Sequence, residues 1–179
     1  MPLQLPIALL GHPVLRTRAK EVLDPSAPDV QSLVDDLFSE MIETNTVGLA
    51  SPQMYQSVRV FVMRSRKGIR FPNAPEIPPF EVINPEVVFE SSDFVKGWEG
   101  CASMPGYRAM IRRPQIISAR WTDHNGRSVE QQLNDLAARV FLHELDHLDG
   151  IMFIDRMDSI KDLVSEKEMA GQPAGIKQK

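Results

Sequence analysis

The sequence predicts an α+β fold, mostly antiparallel β strands around a central helix, with an additional N-terminal helix outside. Two stretches carry the apolar spacing of helices, several short runs rich in valine, isoleucine and phenylalanine lie between them, and an Asn-Gly turn joins two of these runs. No internal repeat is evident. At 179 residues the chain has the length of one ordinary domain and can bury about 70% of the surface its unfolded form exposes. A single domain over residues 1–170 is therefore expected, followed by a polar C-terminal tail at 171–179.

The elements follow in order. Met1 to Gly11 is apolar but holds Pro2 and Pro6 and no basic residue, so it resembles neither a secretory signal nor a transit peptide. Pro25 to Asp29 introduces the first helix, on which Val30, Leu33, Val34, Leu37, Phe38, Met41 and Ile42 share a face. Thr44 to Gly48 reads as a turn, and the segment from Gly48 to Gln53 leads into a buried strand from Val58 to Met63. Proline, glycine and charge make an irregular loop of Arg64 to Pro79. Short strands are expected at Glu81–Glu90, Arg108–Arg112, Gln115–Thr122 and Arg127–Leu133, the last two forming a hairpin through Asp123-His124-Asn125-Gly126. The central helix runs from Asn134 to Gly150, with Asn134 as N-cap, Asp135 in the positive first turn, and Gly150 placed to end it in the left-handed conformation. Ile151 to Ile154 follows, then a weak helix from Asp158 to Met169.

With 42% hydrophobic and 25% charged residues the chain is globular by composition, and a formal net charge of -4 gives no broad basic surface for nucleic acid. One cysteine cannot form an internal disulfide, and no apolar run is long enough to span a membrane. These features read as a soluble, cytoplasmic protein of a reducing compartment. An organelle location after removal of a presequence is the alternative.

The central helix carries His143-Glu144-Leu145-Asp146-His147. On a helix the two imidazoles stand one turn apart and can share one cation, while Glu144 projects beside them, suited to proton transfer rather than ligation. A catalytic site needs a third ligand and an open position for water. A metzincin pattern would put histidine where Phe153 stands, so that ligand is absent. A thermolysin-like zinc site could draw on Glu166 or Glu168; Cys101, in Trp98-Glu99-Gly100-Cys101-Ala102-Ser103, is the better candidate because flanking glycines leave it approachable. Asp146, three residues after His143, could fix that imidazole through a hydrogen bond.

With Val47-Gly48-Leu49-Ala50-Ser51-Pro52-Gln53, Glu99-Gly100-Cys101-Ala102-Ser103 and the histidine motif in this order and spacing, the chain resembles the peptide deformylases from about His12 to Asp158. The resemblance implies one divalent metal on Cys101, His143 and His147, Fe(II) in the native state with Ni(II), Co(II) or Zn(II) as alternatives. It implies Glu144 as general acid and base, with Gln53 and the backbone N–H of Ala102 as oxyanion donors. The substrate would be N-formylmethionyl nascent peptides, met near the ribosome exit tunnel, with formate as product.

For substrate binding the resemblance implies pairing of the peptide with the backbone at Val47 and Gly48, an apolar pocket formed by Val47, Leu136 and Val140, and Arg108 near the bound peptide. Glu99 matches a position at the site that pairs with Arg113. Arg139 falls where the family is usually apolar. Thr46, Ser51, Ala102 and Leu142 replace the usual glycine, alanine, leucine and glutamine, and none of them removes a metal ligand. Two rival readings are a zinc endopeptidase built on the same helix and a catalytically weak, deformylase-like protein that binds peptides. His12 and His124 read as structural or solvent-facing.

Overall fold

The computed structural model describes residues 7–67 and 74–169; the expected tail at 171–179 and the centre of the expected loop at 64–79 lie outside them. The fold is α+β, as the sequence predicts. A five-stranded antiparallel sheet has the order β1 (Gly48–Ala50), β2 (Val60–Ser65), β3 (Ile77–Glu90), β6 (Ile116–Thr122), β7 (Ser128–Asn134). A second sheet has the order β4 (Phe94–Cys101), β5 (Met104–Pro114), β8 (Leu163–Ser165).

Strand alternation determines how the helices attach. On β2, Val60 and Val62 face α1 (Pro28–Glu43), joining Val34, Leu37, Met41 and Ile83 in one buried cluster. Phe61 and Met63 face the other way, toward α2 (Asp135–Leu148), and pack with Val82, Ile117, Trp121 and Phe141. The Phe61 and Phe141 rings meet edge to face with centroids 5.2 Å apart. Each such fully buried side chain contributes about 1.5–3 kcal/mol, so this layer fixes α2 firmly against the sheet. The opposite side of α2 meets β4 and β5 through charges: Arg139 and Asp146 reach Glu99 and Arg113. The helix thus lies between the two sheets, apolar on one side and ionic on the other.

Local chemistry explains the start of α1 and the end of α2. Pro28 opens α1 from its first turn, where no amide donor is missed. Gly150 ends α2 at φ +73, and a Cβ there would stand 2.8 Å from the Arg16 carbonyl carbon. Asn134 occupies the N-cap in extended conformation without a side-chain cap bond, because its Oδ1 accepts from Gln132 Nε2 instead. Ile42, expected on the apolar face of α1, is exposed.

Three expectations need correction. β3 begins at Ile77, inside the expected loop, because pairing with β2 carries it through Pro78 and Pro79. β4 was not expected, since Lys96, Gly97, Glu99 and Gly100 break its apolar pattern; pairing with β5 makes it a strand. The expected helix from Asp158 to Met169 is a 3-10 turn at Ile160–Asp162, then β8, then only α3 (Glu166–Met169), because Leu163, Val164 and Ser165 pair with β5.

Candidate metal centre and pocket

Helix α2 presents His143 and His147 with ring centroids 5.1 Å apart. Cys101 comes from the opposite side, at the β4–β5 turn, where its partner across the hairpin is Met104. Its Sγ stands 3.2 Å from His147 Nε2, and the candidate ligand atoms of all three residues lie within 4.8 Å of one another. Burial pushes the Cys101 thiol up, but the His147 and His143 imidazoles outweigh it and hold the thiol well below its ordinary value. A thiolate and two imidazole nitrogens are a donor set for a divalent cation with one position left open.

A carboxylate orients the first histidine. Glu99 Oε2 lies 2.9 Å from His143 Nδ1, which leaves Nε2 for the side of Cys101. Glu99 also takes both ends of the Arg113 guanidinium at 3.0 Å each, and Arg139 Nη1 at 2.8 Å. Burial alone would raise the Glu99 carboxyl, yet His143 and Arg113 hold it well below the usual range. With both oxygens engaged this way, Glu99 is held in the pocket wall by His143, Arg113 and Arg139. Asp146, expected beside His143, instead accepts from Arg113 and Arg156 at 2.6 Å each, because its place on the helix turns it toward β5. Arg139 lies in the pocket wall and donates to the carbonyls of Val95 and Ile111 at 2.6 and 2.9 Å.

Glu144 stands beside the ligands and is buried; desolvation pushes its carboxyl up to about 7, against the pull of both imidazoles. Its Oε2 has no hydrogen-bond partner among the described residues. A Cβ on Gly48 would lie 2.3 Å from Glu144 Oε1, so only glycine lets β1 approach this carboxyl. Gln53, in the 3-10 turn Ser51–Met54, is held by its own amide: Oε1 accepts from Ala50 N–H at 2.8 Å, which aims Nε2 toward Cys101 Sγ at 3.4 Å and Ser103 Oγ at 3.3 Å.

One pocket is lined by Val47, Gly48, Ala102, Arg108, Leu136 and Val140, with Gln53, Cys101, His143 and Glu144 also in its wall. Every catalytic and substrate residue expected from the sequence is therefore in one place. β1 is the outer strand of its sheet and carries Gly48, so a strand edge borders the pocket. Sequence reasoning missed Trp98 in the wall and the buried Ser103 beside Gln53, although both flank the cysteine motif. Glu166 is engaged with Arg108 rather than with the histidines, which removes it as the third ligand expected for an endopeptidase. His12 and His124 lie away from the pocket, on Val14 N–H and on Glu81.

Two of the departures have local accommodation. Ser51 donates to the Val58 carbonyl at 2.6 Å, and Leu142, on α2 itself, joins the core. His147 Nδ1 is buried without a partner among the described residues.

Known proteins share this sequence and fold. Residues 4–163 match the family model described as polypeptide deformylase. The chain is 46% identical to peptide deformylase 2 of Nostoc sp., covering 93% of each, and 40% identical to peptide deformylase 2 of Shewanella oneidensis, covering 85% of this chain and 83% of that one. Among solved structures, a Met-Ala-Ser-bound class I type b peptide deformylase from Acinetobacter baumannii superposes with a TM-score of 0.83 at 35% identity, over 88% of this chain and all of the other. The Thermotoga maritima peptide deformylase superposes with a TM-score of 0.76 at 36% identity, over 86% of this chain and 97% of that one. By sequence and by fold alike, this chain belongs to the polypeptide deformylase family.

Proposed function

We propose that this chain is a metal-dependent amide hydrolase that removes the formyl group from N-formylmethionyl peptides, releasing formate and a free amino terminus. The observation that carries the reading is the meeting of Cys101, His143 and His147 beside the buried Glu144, at a pocket bordered by the edge strand β1. The donor set and the thiol's lowered pKa suit one divalent cation per chain, for which Fe(II) is our native choice and Ni(II), Co(II) and Zn(II) are substitutes. When bound, such a cation supplies Lewis acidity toward a hydrolytic water and the formyl oxygen.

The chain's own groups do the rest. Glu144 takes the water proton on its unpartnered oxygen and delivers it to the leaving amine. Gln53 Nε2, aimed by Ala50, and the Ala102 backbone N–H donate to the oxyanion. The peptide pairs with the backbone at Val47 and Gly48 as an added strand. Val47, Leu136 and Val140 form the apolar wall against the methionine side chain, and Arg108 faces the residues beyond it. Nascent chains leaving the ribosome, in the cytoplasm, are the natural source of such substrates.

Formate release from formyl-Met-Ala, followed anaerobically with Fe(II)- or Ni(II)-loaded protein, tests the reading. Turnover that disappears in Glu144→Gln while the metal stays bound is the expected result. No formate from the parent protein would favour the peptide-binding rival.

A further inference from the structure

Arg108, in the pocket wall, is held by a residue from the far end of the chain. Its Nε donates to Glu166 Oε1 at 2.6 Å. Two backbone features make this pair. β8 lies antiparallel to β5 with Val164 opposite Arg108, so the first residue after the strand arrives at the guanidinium. Gly100 leaves the room beneath, since a Cβ there would stand 2.7 Å from Arg108 Nη1. The two side chains are 22% and 38% exposed, so the pair sits at the mouth of the pocket and within reach of a ligand's charge.

We propose that Glu166 is a specificity-determining residue: by sharing the charge of Arg108 it makes the pocket mouth disfavour peptides whose carboxylate falls near that arginine. The inference rests on the formyl-peptide reading of the pocket. An arginine alone at this place would attract a free C-terminal carboxylate or an acidic side chain a few residues after the methionine. With Glu166 against it, a second carboxylate meets a neutralised cation and a like charge at short range. Arg108 has further contacts within the chain, so loss of Glu166 alters its charge balance rather than its presence. Long nascent chains, whose C-terminal carboxylate is far away, would escape this penalty, whereas short free peptides would meet it.

The test compares formyl-Met-Ala-Ser with its C-terminal amide, using the metal-loaded full-length protein and its Glu166→Gln variant. The ratio of KM for the acid to KM for the amide is expected to fall about two- to fivefold in the variant, the size of one partly exposed ion pair. The fall should shrink in high salt. Glu166→Lys should lower the ratio further, which separates charge from any loss of packing at β8. An unchanged ratio in both variants would overturn the proposal. Absence of formate from either peptide would instead sink the deformylase reading. Calorimetric binding of Met-Ala-Ser and its amide then gives the same ratio without turnover, and again an equal ratio in parent and variants overturns the role of Glu166.

Discussion

Among the described glycines, Gly48 leaves the least room for a side chain, since a Cβ there would lie 2.3 Å from Glu144 Oε1. Gly48→Ala must displace the carboxyl, so it is expected to lower kcat by at least tenfold, about 1.4 kcal/mol, while metal content stays at one per chain. Formate release and metal analysis on the same sample check it; full activity would dissociate Gly48 from Glu144. The oxyanion donors separate in the same assay. Gln53→Ala should lose about 10²–10³ in kcat, whereas Ala102→Leu keeps its backbone N–H and should stay within about tenfold. Equal small losses in both would refute the donor assignment. At this scale the sequence was legible where spacing is local: four residues on a helix bring His143 and His147 together, and Glu144 follows from them. The partner of His143 was not, because Glu99 arrives from 44 residues away on a strand that the apolar pattern does not reveal. The local candidate, Asp146, was the wrong carboxylate for that reason.

Elements with a clear period were readable, and those made by their neighbours were not. α1 and α2 follow from their apolar faces, and the β6–β7 hairpin from Asn125-Gly126, with Gly126 at φ +77. β4 and β8 lack an alternating pattern and exist because β5 offers hydrogen bonds on both sides. The hairpin turn provides a pH test. His124 Nδ1 lies 2.6 Å from Glu81 Oε1, and this hydrogen bond, helped by the carboxylate's charge, raises the imidazole above its ordinary 6.5. A raised histidine stabilises the fold fully below the unfolded value and loses that contribution as pH rises through the folded one. NMR titration should find His124 above 6.5 in the parent and lower in Glu81→Gln. An identical midpoint in both would remove Glu81 as the cause.

In the whole molecule, α2 is the shared wall of two sheets, bound to one by aromatic packing and to the other by Glu99, Arg113, Arg139 and Asp146. Cys101 adds a third tie, since a cation on Cys101, His143 and His147 would bridge β4 to α2. Metal binding should therefore stabilise the fold, by about 2.7 kcal/mol at a free concentration one hundred times Kd. Chelation is expected to lower the melting temperature of the parent, and Cys101→Ala to melt at the chelated value whether metal is added or not. A metal-dependent melt retained in that variant would point to a different third ligand. The overall topology was only partly legible, because the order of strands in a sheet depends on pairings between distant segments. The open edge at β1 has a further consequence. Exposed edges invite other chains to pair with them, and aggregation is the usual hazard. β1 is three residues long, about 10 Å. That is too short to template a second folded copy, and with Leu49 and Ala50 buried and the Ala50 N–H held by Gln53, little beyond Gly48 is left for another chain to pair with. On the proposed reading, the same brevity confines strand pairing to the residues nearest the formyl group, and any preference further along the peptide comes from side chains such as Arg108 and Glu166.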